Sequence, residues 1–410
     1  MDIKINPIKT IQSAELVLSG SKSETNRLLL LQALFPQINI QNISDSDDST
    51  VMQEALNSTA DIINVHHAGT AMRFLTAYFA MQEGREIVLT GSERMKQRPI
   101  GIVVKALNNL GAQITYTDKE GYPPLKIVGK KLTKSKVSIN ANVSSQYITA
   151  LLLIGSKLEN GLEITLEGEI TSLPYINMTL ALLKEAGIVA SMNDNRIEVK
   201  PKTESQISVN LVVESDWSSA SYFYAILALS PLGSTITLSS FKQNSFQGDA
   251  ALAEIYTRFG VTTIFNNNAI TLSKTKPHQP SIINLSLNNT PDIAQTIAVT
   301  CLGLGMACHL TGLHTLKIKE ADRLEALKTE LEKFGATVTV TQDSLTLQQH
   351  NLPLNEGVSV ATYNDHRMAM AFAPLALKTA ITINNAEVVS KSYPAFWDDI
   401  EKLGFTINRL

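Results

Sequence analysis

The chain has 410 residues, 44% hydrophobic and 18% charged, with 35 basic against 38 acidic side chains and a net charge of -3. At roughly 100–200 residues per domain this length predicts two or three domains, and the apolar fraction excludes a disordered chain. The charge excludes a globally basic nucleic-acid binder but leaves room for a local positive site.

The start, Met1-Asp2-Ile3-Lys4, lacks an apolar signal-peptide core. The most apolar runs, Tyr147 to Gly155 and Ile297 to Ala307, are shorter than the ~18 residues of a membrane helix. Cys301 and Cys308 fit neither a disulfide framework nor a CxxC motif, which suits core positions in a reducing cytoplasm. A cytoplasmic protein with no membrane and no nucleic-acid partner is expected.

Along the chain one pattern returns: an apolar helix, a glycine, then a β-like run. It closes on Gly111, Gly187, Gly260, Gly335 and Gly404, about 70–76 residues apart, each where a helix needs a left-handed residue before a strand. A second pattern interleaves with it, a short polar stretch opening a helix of small and apolar residues. The openings lie near Ser21-Lys22-Ser23, Ala68-Gly69-Thr70, Ser144-Ser145-Gln146, Asp216-Trp217-Ser218-Ser219, Pro291-Asp292 and Asn364-Asp365-His366. Their steps are again about 70–76 residues except the first, near 47, so the first unit reads as truncated between Asn57 and Asn64. A helix apolar on every side belongs inside a domain, and the amphipathic second helix of each unit belongs outside. The fold class is therefore α/β: two similar inside-out α/β domains, each of three repeated units, with buried inner helices and sheets around them.

Inner helices that aim their N-termini the same way would hold anions on unpaired N–H groups and the positive end of the dipole. Ser, Thr, Asp and Asn at the openings also serve plain capping. Five of the ten arginines, Arg27, Arg73, Arg98, Arg323 and Arg367, fall in these openings or in equally distinctive motifs. Arginine's fork suits phosphate and carboxylate, and two like charges ~4 Å apart repel by up to ~4 kcal/mol at an effective dielectric near 20, so such clustering expects a polyanion. Lys319 and Arg323 share a face if their segment is helical, and with Glu320, Asp292 and His366 they make a candidate acid/base site. Rival motifs fail. Gly20-Ser21-Lys22-Ser23 lacks the leading glycine of a P-loop, and Ser19 to Lys22 lacks the partners of an S-x-x-K hydrolase. Gly303-Leu304-Gly305 lacks the third glycine of a dinucleotide fingerprint. Adjacent His66 and His67 are badly spaced for a metal, and Asp45-Ser46-Asp47-Asp48 reads as the cap of a helix from Ser49 to Leu56.

Six motifs together resemble the 5-enolpyruvylshikimate-3-phosphate synthase family. They are Gly20-Ser21-Lys22-Ser23-Glu24-Thr25-Asn26-Arg27, Ala68-Gly69-Thr70-Ala71-Met72-Arg73, and Arg94-Met95-Lys96-Gln97-Arg98-Pro99-Ile100 in the first half. Val143-Ser144-Ser145-Gln146-Tyr147, Lys319-Glu320-Ala321-Asp322-Arg323-Leu324 and Asn364-Asp365-His366-Arg367-Met368 follow in the family's order. The resemblance implies transfer of the enolpyruvyl group of phosphoenolpyruvate to the 5-hydroxyl of shikimate 3-phosphate, with release of phosphate, in the shikimate pathway. It implies a monomer, with no metal and no organic cofactor. It also implies a domain of residues 19–214 carrying most shikimate 3-phosphate contacts. A discontinuous domain of residues 1–18 and 215–410, to which the first strand returns, would carry the phosphoenolpyruvate-side catalytic residues.

By the same resemblance Lys22, Asp292 and Glu320 are catalytic. Lys22, Ser23, Arg27, Ser144, Ser145, Gln146, Ser172, Tyr175, Asp292 and Lys319 hold shikimate 3-phosphate. Lys22, Gly69, Thr70, Arg73, Arg98, Gln146, Arg323, His366 and Arg367 hold phosphoenolpyruvate. Glu320 is expected to serve C3 of the enolpyruvyl group and Asp292 the hydroxyl. The chain departs from the family pattern at Ser19, His66, His67, Leu173 and Thr315, and a lysine often found near Glu387 is absent, with Lys391 a possible replacement. Two alternatives stay open. One is UDP-N-acetylglucosamine enolpyruvyltransferase, whose family usually carries a reactive cysteine in the loop that here runs without one from Gly84 to Arg98. The other is a non-catalytic repeat scaffold.

Overall fold

A computed structural model describes residues 1–142, 144–168, 170, 172–202, 208–279, 282–350 and 352–410; Val143, quoted in a motif above, lies outside the described residues. The chain divides into two compact units. One is continuous, Gly20–Val213, and the other joins Met1–Ser19 to Glu214–Leu410. Each border lies one residue from the expected one.

Both units follow one plan. Helices Lys22–Leu34, Gly69–Ala80 and Ser145–Gly155 pack on one another in the continuous unit, and Trp217–Leu229, Ala294–Leu304 and His366–Phe372 do so in the other. Their composition explains their place. Every residue of Ser145–Gly155 except Gln146 is buried, and every residue of Trp217–Leu229 except Ser218. Where inner helices escape burial in their first turns, the residues are polar: Lys22, Ser23, Thr70, Gln146 and Ser218. The apolar surface is spent on the core, so chemistry is confined to the N-terminal ends.

Around these helices, among the described residues, lie five four-stranded sheets and one two-stranded sheet. Each four-stranded sheet sets a parallel pair beside an antiparallel pair. Ile62–Asn64 runs parallel to Glu86–Thr90, which is followed by Leu125–Val128 and Gln113–Tyr116. In the last sheet the third place belongs to the chain's first strand. Ile3–Ile5 sits between Ile381–Ile383 and Ile407–Arg409, with Ile3 opposite both Ile383 and Arg409. Its buried-exposed-buried alternation of Ile3, Lys4 and Ile5 supplies the core face a strand needs there. The two-stranded sheet, Ile38–Gln41 parallel to Val209–Val212, belongs to the truncated first unit. After helix Asp47–Asn57 the chain passes directly into Ile62–Asn64, with no hairpin to complete a sheet.

The five spaced glycines all adopt the left-handed region, with φ of 108° at Gly111, 72° at Gly187, 78° at Gly260, 93° at Gly335 and 95° at Gly404. At Gly260 a Cβ would also stand 1.9 Å from the Lys276 carbonyl oxygen, so two separate constraints demand glycine. One outer element departs from expectation. The segment before Gly260 is a 3₁₀ turn, Gly248–Ala251, a single α turn, Leu252–Ile255, and a second 3₁₀ turn, Tyr256–Phe259. Tyr256 and Phe259, three residues apart, are both fully buried, and a three-residue repeat eclipses them on one side.

Candidate active site

In the continuous unit the helix openings divide by how they are capped. Ser144 accepts a hydrogen bond from the Gln146 amide, whereas Ser21 and Ala68 give their helices no side-chain cap. The openings at Lys22 and Gly69 thus carry amides that no cap satisfies, beside cationic side chains. Gln146 Nε2 donates to Thr70 Oγ1 at 3.2 Å, joining two openings. Arg98 lies on the third side. A Cβ on Gly69 would stand 2.6 Å from Arg98 Nη1 and 3.0 Å from its Cζ, so the missing side chain is what admits the guanidinium to the start of that helix.

The loop holding Arg98 is clipped in place. Arg73 donates to the Gly69 carbonyl at 3.0 Å and to the Pro99 carbonyl at 3.1 Å, and the Tyr147 hydroxyl donates to the same Pro99 oxygen at 2.6 Å. Arg73 is therefore turned inward, a brace for Arg98. Arg27 makes the equivalent turn: it donates to the Ser23 carbonyl at 2.6 Å, to Thr179 at 2.9 Å, and to Thr149 and the Tyr175 carbonyl at 3.4 Å. All of these acceptors are neutral, and burial lowers the Arg27 guanidinium to about 10. Tyr175 and Glu24 act against that lowering without offsetting it, so a further anion near Arg27 would be favoured. Lys22 Nζ lies 3.4 Å from Asp48 Oδ2, and His67 Nε2 lies 3.7 Å from Asp48 Oδ1. Asp48 is thus no cap; the cap of helix Asp47–Asn57 is Ser46, whose hydroxyl accepts from the Ser49 amide. Ser172, with φ of 55°, opens helix Leu173–Glu185 without capping it.

In the discontinuous unit all three inner openings meet on Arg367. Its Nη1 donates to the Asp292 carbonyl at 3.0 Å, and its Nη2 lies 3.2 Å from Asp292 Oδ2 and 3.3 Å from Ser218 Oγ. Arg323 is 2% exposed and wholly enclosed by carboxylates. Nε donates to Asp365 at 2.5 Å, Nη1 to Asp292 at 3.0 Å, and Nη2 to Glu320 at 2.7 Å. Lys319 Nζ stands 3.7 Å from Asp292. Lys319 and Arg323 do not share a helix face. The 3₁₀ turn His314–Ile318 ends before Lys319 and helix Arg323–Lys333 begins at Arg323, so they converge through a bend. Burial opposes the charge on Asp292, yet Arg367, Lys319 and Arg323 together hold its carboxyl far below the usual carboxylate range. Burial likewise opposes the charge on Arg323, and Asp365, Glu320 and Asp292 outweigh it, holding the guanidinium above its ordinary value. His366 is buried in the first turn beside Asp365, its Nδ1 3.9 Å from Asp365 Oδ1. Lys391 Nζ reaches the Asn364 carbonyl at 2.6 Å, just before this opening.

Asp365 caps helix His366–Phe372 through the Arg367 backbone amide while also holding the Arg323 guanidinium, so one carboxylate fixes Arg323 and the stretch of backbone that carries Arg367. Sequence reasoning quoted Asp365 only as part of a motif and did not single out Asp48 or Asp249; the last lies in Gln247-Gly248-Asp249, which matches no phosphate or metal motif. Among the described residues no group of three or more His, Cys, Asp or Glu is arranged to hold a metal ion, and no helix is long and apolar enough to cross a membrane.

The architecture is that of the two-domain α/β enolpyruvyl transferases. EPSP synthase from Acinetobacter baumannii superimposes with a TM-score of 0.80 at 21% identity over 100% of both chains. The enolpyruvyl transferase NikO from Streptomyces tendae does so at 0.74 and 13% over 99% of this chain and 98% of its own. Sequence narrows the class. The profile of the family "EPSP synthase (3-phosphoshikimate 1-carboxyvinyltransferase)" matches residues 53–400. The 3-phosphoshikimate 1-carboxyvinyltransferase of Bacteroides fragilis is 46% identical over 403 residues, 96% of each chain. That of Haemophilus influenzae is 37% identical over 435 aligned positions, 98% of each. The chain belongs to the EPSP synthase family and is an enzyme.

Proposed function

We propose that this enzyme transfers the enolpyruvyl group of phosphoenolpyruvate to the 5-hydroxyl of shikimate 3-phosphate, with release of phosphate. The observation that carries the reading is the alternation of Lys319, Arg323 and Arg367 with Asp292, Glu320 and Asp365 around the openings of helices Ala294–Leu304 and His366–Phe372. Cations held by a rigid scaffold stabilise phosphate and carboxylate charge without reorganising, and carboxylates among them move protons. Lys22, Arg98, Gln146, Arg323 and Arg367, with the Gly69 and Thr70 opening, are assigned to phosphoenolpyruvate, and His366 shapes that pocket. Ser23, Arg27, Ser144, Ser145, Ser172, Tyr175 and Lys319 are assigned to shikimate 3-phosphate. Arg73 holds the Arg98 loop.

In the addition step the 5-oxygen bonds to C2 and gives up its proton while C3 gains one; in the elimination C3 returns a proton and the C2–phosphate bond breaks. Asp292, held so firmly ionised, accepts the hydrogen bond of the attacking hydroxyl, and the proton that the hydroxyl loses passes on to solvent. Glu320 gives a proton to C3 in the addition and takes one back in the elimination, and Lys22 is assigned as a donor to the developing charges. The reading carries a monomer working in the cytoplasm, where two buried unpaired cysteines are at home.

Phosphate release from phosphoenolpyruvate tests this directly. Release is expected with shikimate 3-phosphate and not with UDP-N-acetylglucosamine; the reverse pattern, or no release, overturns it. A second expectation concerns Gly69→Ala. The three atoms nearest the new methyl group all belong to the guanidinium end of the Arg98 side chain. The melting temperature should therefore change by no more than about two degrees, while KM for phosphoenolpyruvate rises about tenfold, the equivalent of ~1.4 kcal/mol in one charge-assisted contact. An unchanged KM would remove Arg98 from the phosphoenolpyruvate contacts.

A further inference from the structure

Asp249 is a carboxylate in an unfavourable place. It is 4% exposed, its Oδ1 has no hydrogen-bond partner, and its Oδ2 receives the Ser218 hydroxyl at 2.5 Å. An ionised carboxylate can accept about four hydrogen bonds, so this one is starved. It is also held rigidly. Gln247 accepts from the Trp217 amide and donates to the Ser215 carbonyl, both at 2.9 Å. Glu214 accepts from Trp217 Nε1 and the Lys242 amide at 2.8 Å and from Ser245 Oγ at 2.6 Å. The loop from Lys242 to Asp249 is thus bolted to the opening of helix Trp217–Leu229 and cannot swing the carboxyl into water.

The same serine that serves Asp249 also accepts from Arg367, giving a chain from Arg367 through Ser218 to Asp249. The charged groups acting on Asp249 are Asp292, Arg367 and the helix cap Asp216. Without Asp249 the cluster already balances, with Lys319, Arg323 and Arg367 against Asp292, Glu320 and Asp365.

We propose that Asp249 is a positioning residue and charge gate for the anion held by Arg367. Protonated, it leaves the cluster neutral and Arg367 open to phosphoenolpyruvate; ionised, it adds a fourth carboxylate beside Arg367 and weakens that binding. Capture of the anion in turn favours the protonated form, so binding takes up a proton from solvent. The inference rests on the assignment of Arg367 to phosphoenolpyruvate made above. Burial, followed by repulsion from Asp292, outweighs Arg367 and the Ser218 hydroxyl and pushes the Asp249 carboxyl up to about 7. The gate therefore operates near neutrality.

The test is kcat/KM for phosphoenolpyruvate between pH 5.5 and 9, at saturating shikimate 3-phosphate, for the native enzyme, Asp249→Asn and Ser218→Ala. Ionisation of the substrate is common to all three, so the ratio of native to Asp249→Asn isolates the gate. That ratio should be level below about pH 6 and fall toward tenfold per unit above about pH 7, because asparagine stays neutral. Ser218→Ala removes the hydrogen bond that favours the ionised form, so its fall should begin at higher pH than the native one. A merely structural role would lower the rates without moving the break. If Asp249→Asn does not fold, the Ser218→Ala displacement decides alone. Parallel profiles in a native enzyme that turns over sink this inference only; a native enzyme that releases no phosphate sinks the assignment beneath it as well.

Discussion

Arg323→Gln is expected to destabilise the discontinuous unit by about 3–5 kcal/mol and to abolish measurable turnover, a pairing of effects that few other positions would give. Arg323 satisfies Asp365, Asp292 and Glu320 at once, and Asp365 is fully buried. Glutamine offers one amide group in place of a guanidinium, so buried carboxylates are left without their counter-charge. The cost is that of stranded charges, larger than the net worth of the intact pairs. Lys319→Gln is the control. Its ammonium stands 3.7 Å from Asp292 and is 26% exposed, so stability should fall by less than about 1 kcal/mol. Asp292, held below its usual range, contributes stability that is full above pH ~4 and disappears as pH falls through its folded value. Arg323→Gln removes a principal cause of that depression, so the native and variant denaturation midpoints should draw together on acidification. A variant as stable as the native protein at pH 7 would contradict the enclosure of Arg323.

How much of this was legible beforehand depended on whether backbone or side chain carried the signal. Gly111 through Gly404 could be placed because a left-handed residue after a helix has few alternatives to glycine. The inner helices could be placed because Tyr147 to Ile154 and Trp217 to Leu229 offer no polar face. The truncated first unit showed in the step from Lys22 to Gly69. Side-chain directions were hidden. Arg27 and Arg73 occupy equivalent places, and both fold back to the carbonyl four residues earlier, at Ser23 and Gly69, which their motifs do not reveal. The stretch Asp45-Ser46-Asp47-Asp48 does cap its helix, but which member does so is a side-chain matter: Ser46 accepts from the Ser49 amide, while Asp48 faces Lys22. Asp249 escaped altogether. Its character comes from burial beside Asp292 and Arg367, residues more than 40 positions away.

Glu320→Gln should lower turnover by ~10²–10⁴-fold while leaving KM for both substrates and the melting temperature nearly unchanged. Glu320 accepts from Arg323 Nη2 at 2.7 Å, and the carbonyl oxygen of glutamine can accept the same bond at the same length. The side chain is 20% exposed, so the amide nitrogen is not forced into an apolar wall. Geometry and packing survive; the capacity to take and return a proton does not. This separates Glu320 from Arg323, whose loss damages the fold and the chemistry together. Solvent deuterium gives an independent measure. Addition places a solvent-derived proton on C3 and elimination removes one, so enzyme that reverses the addition washes deuterium into the C3 position of phosphoenolpyruvate. Washing-in should fall in parallel with turnover in Glu320→Gln. If exchange persists at the native rate while turnover collapses, the proton at C3 belongs to another group, and Glu320 acts only by holding Arg323 in register with Asp292.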